Sequence, residues 1–278
     1  MWYLDRHECA LCALSSRLME LRKFGDNEPA HITAIIRAVQ ENYGMGRSRL
    51  FAATFEEETK LLGSGDPYSK LKAEVEEAME RAIAEANPSL PQLIKMAAAA
   101  NSVDAPMKDY AFDVRGMIER LGEEPLLLGV EPRDLEAVPR ARSIAYVTDN
   151  AGEFAVDAAL IRALSKSSRV TVISRSLPYE TDVVASYVRG KVPGVEVLET
   201  GGRLPAFLSD GVREALVGSE LVISKGVGNL EAYMESGMKL GNALFLLRVK
   251  CKPFVRLLGV PMGRPIIISS RKINELSF

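Results

Sequence analysis

The sequence predicts an α/β protein: a Rossmann-like, mainly parallel sheet flanked by helices, with an all-helical N-terminal region. Three observations carry that expectation. Residues 1–140 read as amphipathic helices, and from about residue 143 short apolar strands alternate with helical stretches. Several of those strands are continuous apolar runs, as strands covered on both faces are. Strand, helix, strand at this spacing makes βαβ units. The expected division is a helical region over 1–140 and a Rossmann-like domain over 141–278 that carries the site.

In the first part, "EPAHITAIIRAVQENYG" places Ile32, Ile35, Ile36 and Val39 on one helical face and stops at Gly44. "SRLFAATFEEETKLLG" repeats the pattern with Leu50, Phe51, Phe55, Leu61 and Leu62. "GDPYSKLKAEVEEAMERAIAEANP" is a long helix opened by Asp66-Pro67 and closed by Asn87-Pro88. "SLPQLIKMAAAANSVDAP" and "MKDYAFDVRGMIERLG" follow, with no internal repeat. The expected strands of the second part are "SIAYVT", "SRVTVISR", "VEVLET", "ELVISK", "ALFLLRV" and "PIIIS".

Bulk properties exclude several classes. At 278 residues the chain can bury a sizeable core. A net charge of −2 argues against general affinity for nucleic acid or acidic membranes. The basic stretch "RVKCKPFVR" alternates its charges with apolar residues and reads as a strand-to-helix passage. Asp5, Arg6, His7 and Glu8 interrupt any secretory pattern, and no segment has the length of a membrane span. Three cysteines fit a reducing compartment, so a cytoplasmic location is expected. Oligomeric state is left open.

The chemistry gathers at three strand ends. "SIAYVT" runs into Asp149 and Asn150, with Gly152 and Glu153 completing a tight turn. In an open parallel sheet, ligands bind beyond the carboxyl ends of the strands. A carboxylate beside an amide oxygen suits Mg²⁺ or Mn²⁺. The competing reading is that Asp149 or Asn150 caps the following helix. The next strand ends in Arg175, Glu180, Thr181 and Asp182, where capping by Thr181 or Asp182 competes again. The third supplies Lys225, Gly226, Gly228, Asn229 and Glu231, a lysine and glycines suited to phosphate but outside the P-loop and dinucleotide patterns. Together they suggest a metal on Asp149, Asn150 and Asp182 polarising a phosphoryl group, with Lys225 neutralising charge. An exposed loop lysine is the competing reading of Lys225.

These motifs resemble the damage-control phosphatase family (ARMT-like, formerly domain of unknown function eighty-nine). "DNAGE" after a strand, an Asp-containing turn after the next, "SKGVGNLEAY" and "LLRVKC" carry the resemblance, with "CALC", "GDPYSKLK" and "ANSVDAPM" in the helical half. It spans nearly the whole chain and is nearest the compact, cysteine-containing microbial branch. The resemblance implies hydrolysis of phosphate from small metabolites, sugar phosphates or damaged cofactor intermediates, using Mg²⁺, Mn²⁺, Co²⁺ or Ni²⁺. It assigns the metal to Asp149, Asn150 and Asp182, and places Glu153 near substrate or attacking water. Lys225 and Asn229 fall on the phosphate-side loop, and Asn101 and Asp104 face the pocket. Thr181 stands where the family commonly has Asn before its second metal Asp, and Val227 and Leu230 stand where polar or aromatic residues are frequent.

Cys9 and Cys12, with Cys251 and His7, could form a structural zinc site; buried small apolar residues is the alternative. Two other functions compete with the phosphatase. One is an S-adenosylmethionine-dependent carboxyl methyltransferase, and the other a protein that binds a phosphometabolite without turnover.

Overall fold

The computed structural model describes residues 4–102 and 114–276. The chain opens with α1 (Arg6–Lys23), α2 (Pro29–Asn42), α3 (Arg47–Leu61), α4 (Ser69–Ala86), α5 (Leu90–Ala99) and α6 (Val114–Glu119). Their ends have local causes. The Asp5 carboxylate accepts the N–H groups of His7 and Glu8 at the head of α1. Ser89 and Gln92 form a capping box on α5. Asn87 ends α4 in the left-handed region at φ 41°.

Next come β1 (Leu126–Leu128) and α7 (Pro132–Ala137), then an alternating series. It runs β2 (Ser143–Val147), α8 (Glu153–Leu164), β3 (Arg169–Ser174), α9 (Ala185–Lys191) and β4 (Glu196–Glu199). It continues α10 (Arg213–Gly218), β5 (Leu221–Lys225), α11 (Val227–Ser236), β6 (Ala243–Arg248), α12 (Lys252–Leu258), β7 (Pro265–Ser269) and α13 (Ser270–Glu275). Strands β2 to β7 are the six that the apolar runs predict. "RVKCKPFVR" is the passage from β6 into α12, as expected.

The sheet order is β1-β7-β6-β5-β2-β3-β4. Strands β2 to β6 are mutually parallel; β7 runs antiparallel to β6, and β1 pairs parallel with β7. The chain leaves β2 toward β3 and β4, then returns to its other side with β5 and β6. That reversal opens a crevice at the carboxyl ends of β2 and β5, the usual place for a ligand in such sheets.

Alternate residues of the strands feed two cores. Ile144, Tyr146, Val172, Ile223 and Leu246 pack with α4, α5 and α8 on one face. Ala145, Val147, Ile173, Val222 and Phe245 pack with α11 and α12 on the other. Helices α4 and α5 therefore belong to the sheet's own core, which crosses residue 140. Strand β1, three leucines without periodicity, lies in the segment read as helical. Helices α1 and α3 form a smaller cluster of Ala13, Leu50 and Phe51. On α2 only Ile35 of the expected face is fully buried, whereas Ile32 and Ile36 are exposed; nothing among the described residues covers them.

Candidate active site

The first site turn follows β2. Residues 179–183 zip onto it: Ala151 N–H donates to the Thr181 carbonyl at 2.8 Å, and Val183 N–H to the Asp149 carbonyl at 2.9 Å. Asp149, Asn150 and Asp182 are all buried and all line one cleft. Arg175, Tyr179, Glu180, Val227, Gly228, Arg203 and Pro205 line it too, as do Ser16, Arg47, Ser48 and Phe51 of the helical part. Thus two of the three strand ends contribute acidic residues to one cleft, and the third contributes the first turn of α11.

Neither aspartate is a helix cap. The N-cap of α8 is Gly152 and that of α9 is Val184, each without a side-chain cap bond. The turn is instead held from behind. The Asn101 amide N–H donates to Asp149 Oδ2 at 2.9 Å and to Glu153 Oε1 at 2.6 Å. Asn150 Nδ2 donates to Asp149 Oδ2 at 2.6 Å and to Glu153 Oε1 at 3.0 Å. With its nitrogen so committed, Asn150 keeps Oδ1 as an acceptor, and the buried Thr181 hydroxyl donates to it at 2.6 Å. The carboxylates of Asp149 and Asp182 with the Asn150 amide oxygen are hard donors fit for a divalent ion. Asp182 also pairs with the Arg175 guanidinium, which keeps a second charge at the cleft. Burial raises the Asp182 carboxyl, and Arg175 opposes that rise.

Glu153 and Lys225 lie behind the turn rather than in the cleft wall; both are fully buried. The Lys225 ammonium donates to Glu153, and to Asp157 Oδ1 and Oδ2 at 2.8 and 3.1 Å. Asp157 also accepts from the Tyr146 hydroxyl at 2.7 Å. Burial pushes Glu153 up, but the charges of Lys225 and Lys250 outweigh it and hold this carboxyl below its ordinary value. Asp157 goes the other way, up to about 6, through burial and the neighbouring Glu153, with Lys225 opposing. Lys225, expected to meet the phosphate or else to be an exposed loop lysine, is a buried counter-ion outside the cleft lining.

Asn229 is likewise structural, donating to the carbonyls of Thr148 and Lys225 at 3.0 and 2.9 Å. Gly226 abuts the acid itself: a Cβ there would lie 1.9 Å from Asp149 Oδ2. Glu231 pairs with Arg47, whose guanidinium carbon sits 4.2 Å over the Phe51 ring. Asp104 lies outside the described residues. Sequence reasoning missed Asp157, although its place one turn after Glu153 on α8 puts both on one face. It also missed Lys250, Arg47, Arg203 and Glu76.

Glu76 reaches from α4 to accept the Gly152 N–H. Burial raises its carboxyl to about 7; the Gly152 bond and Lys191 pull it down, and Glu80 and Asp157 push it up. The unfolded chain titrates near 4.5, so between these values the folded state holds more protons, and stability falls as pH rises through that window. Glu76→Gln keeps an acceptor without the charge. It should exceed wild type in urea-unfolding stability at pH 8 by about 3 kcal/mol, with the gap closing toward pH 4.5. An equal gap at both pH values would contradict the assignment.

The three cysteines are free thiols beside the Arg47–Glu231 pair. Burial raises Cys9 to about 11 and Cys251 to about 12, so they pack as small apolar groups. Among the described residues no three His, Cys, Asp or Glu side chains converge as a metal cluster. Of the two readings of Cys9, Cys12 and Cys251, burial beside Arg47 favours the small apolar one. Among the same residues no helix is long and apolar enough to cross a membrane.

The chain is similar to known proteins over most of its length. The profile of the damage-control phosphatase ARMT1-like domain matches residues 6–266. A damage-control phosphatase of Pyrococcus horikoshii is 29% identical over 78% of this chain and 79% of its own length. One from Archaeoglobus fulgidus is 25% identical over 92% of this chain and 95% of its own. A crystal structure of a DUF89 family protein from P. horikoshii superposes with a TM-score of 0.81 at 22% identity, covering 96% of this chain and 99% of that one; this shows a shared fold. The chain belongs to the damage-control phosphatase ARMT1-like family, a membership that supports a phosphatase role.

Proposed function

We propose that the protein is a divalent-metal-dependent phosphatase acting on phosphate monoesters of small metabolites, sugar phosphates or damaged cofactor intermediates, in the cytoplasm. The observation that carries this reading is the meeting of Asp149, Asn150 and Asp182 in one cleft. The first turn of α11, which no side chain caps, lies at the same cleft. Those three residues would hold the ion, Mg²⁺, Mn²⁺, Co²⁺ or Ni²⁺. When bound, such an ion polarises a phosphoryl oxygen and lowers the pKa of a coordinated water.

The chain's own groups do the rest. The N–H groups of Val227 and Gly228, the positive end of α11, have no backbone acceptor among the described residues and suit phosphate oxygens. Asn101 and Glu153 fix the orientation of Asp149 and Asn150, so the donors need little reorganisation when substrate arrives. Lys225 holds Glu153 ionised in the interior. Arg175 adds positive charge where a phosphate would sit. Free thiols fit a reducing cytoplasm.

The test is phosphate release from p-nitrophenyl phosphate and a panel of sugar phosphates, in EDTA and then with each of the four metals. Release only with metal is expected. Equal release in EDTA would remove the metal from the mechanism, and none under any condition would remove the phosphatase.

A further inference from the structure

The cleft wall away from Asp149 carries more hydrogen-bond donors than its own carboxylates satisfy. Of the arginines lining it, Arg47 is paired with Glu231 and Arg175 with Asp182. The lining carboxylate Glu180 is taken by Arg17. Arg203 is different. Its Nε donates to the Pro178 carbonyl at 2.9 Å and its guanidinium carbon lies 6.0 Å from the Phe55 ring. Among the described residues no carboxylate pairs with it, and its two terminal amino groups have no acceptor.

A second observation comes from α3. Ser48, Phe51 and Phe55 recur at helical spacing on one face, and Ser48 and Phe51 line the cleft. Ser48 is 5% exposed, its N–H is taken by Glu235 at 3.0 Å, and its hydroxyl has no partner. Arg47 Nε is likewise buried without an acceptor. A buried hydroxyl and a buried N–H left unmatched cost stability unless a ligand or water meets them. From Ser48 to Phe55, over which Arg203 sits, is seven residues of helix, about 10 Å. That is the scale of a small phosphorylated metabolite.

We propose that Arg203 is a specificity-determining residue that binds a second acidic group, carboxylate or phosphate, on the substrate, while Ser48 and Arg47 Nε meet its hydroxylated body. The preferred substrates are then phosphate monoesters bearing another acid at the far end. This rests on the phosphatase reading for its turnover arm alone. Arg203 acts by holding the ligand, so its loss should appear in KM for the diacids more than in kcat.

The test uses two ligand pairs, glucose 6-phosphate against 6-phosphogluconate and fructose 6-phosphate against fructose 1,6-bisphosphate, with wild type, Arg203→Gln and Arg203→Lys. Phosphate release is followed with metal, and binding by calorimetry in EDTA, where turnover plays no part. Wild type should favour the second acid by about 10- to 100-fold, the weight of one charge-assisted contact. Arg203→Gln should reduce the preference to about one, and Arg203→Lys should restore part of it. Preference in only one pair would say whether carboxylate or phosphate is the group held. Release of phosphate with no preference in either assay would overturn the role of Arg203 and leave the phosphatase standing. Binding preference lost in Arg203→Gln, with no release under any metal, would keep the role and remove the phosphatase. Neither binding nor release would remove both.

Discussion

Gly226→Ala should reduce phosphate release by about 100-fold or more while leaving a folded protein. Gly226 has φ 79° and ψ 157°, a region that only glycine adopts without strain, which costs of order 1–3 kcal/mol for alanine. The larger effect is steric. The new Cβ would lie 1.9 Å from Asp149 Oδ2 and 2.2 Å from its Cγ, so the carboxylate must move. That carboxylate is held by Asn101 and Asn150, and shifting it breaks the set of donors facing the cleft. A misplacement of about 1 Å near reacting atoms is enough for a loss of about 100-fold. Gly190→Ala is the control, since a Cβ there meets nothing within 4 Å. Kinetics beside thermal melting separate the two effects. Full activity in Gly226→Ala would mean that Asp149 need not stay where it is.

Lys225→Met should destabilise the fold by about 3–5 kcal/mol at pH 8, because it removes the ammonium that bonds two buried carboxylates and leaves Asp157 without an ion-pair partner, with Lys250 alone acting on Glu153. Glu153 and Asp157 are both fully buried, and Lys225 bonds both. Asp157 is already raised to about 6, and without the lysine both carboxyls would rise further. The folded variant would then hold more protons than the unfolded chain above about pH 4, so its deficit should shrink as pH falls. Urea unfolding at pH 5 and pH 8 measures this. A deficit independent of pH would show that lost packing around the lysine stem, rather than uncompensated charge, is the cause.

Most of the strands β2 to β7 were legible because they are short apolar runs between turn residues, and a parallel sheet buried on both faces demands that texture; β4, Glu-Val-Leu-Glu at the sheet edge, is only half-buried. The acidic turn was legible from residue types alone at the end of such a strand. The position of Lys225 was not, because a lysine after a strand reads alike whether its partners are solvent or carboxylates. Its partners here, Glu153 and Asp157, lie 72 and 68 residues away in sequence. Glu76 was hidden for the same reason, its bond to Gly152 spanning 76 residues from a helix whose acidic residues look like a solvated face. Arg203 stands in a loop after β4, where no periodicity marks it. β1 escaped because three leucines fit a helix or a strand equally.

The claim that the turn after β2 holds a divalent ion over phosphate is tested most directly by Mn²⁺ titration followed by electron paramagnetic resonance, wild type beside Asp149→Ala, with phosphate release measured on the same samples. One bound Mn²⁺ in wild type, lost together with phosphate release in the folded variant, is the predicted result. Undiminished Mn²⁺ binding and release in Asp149→Ala would contradict it.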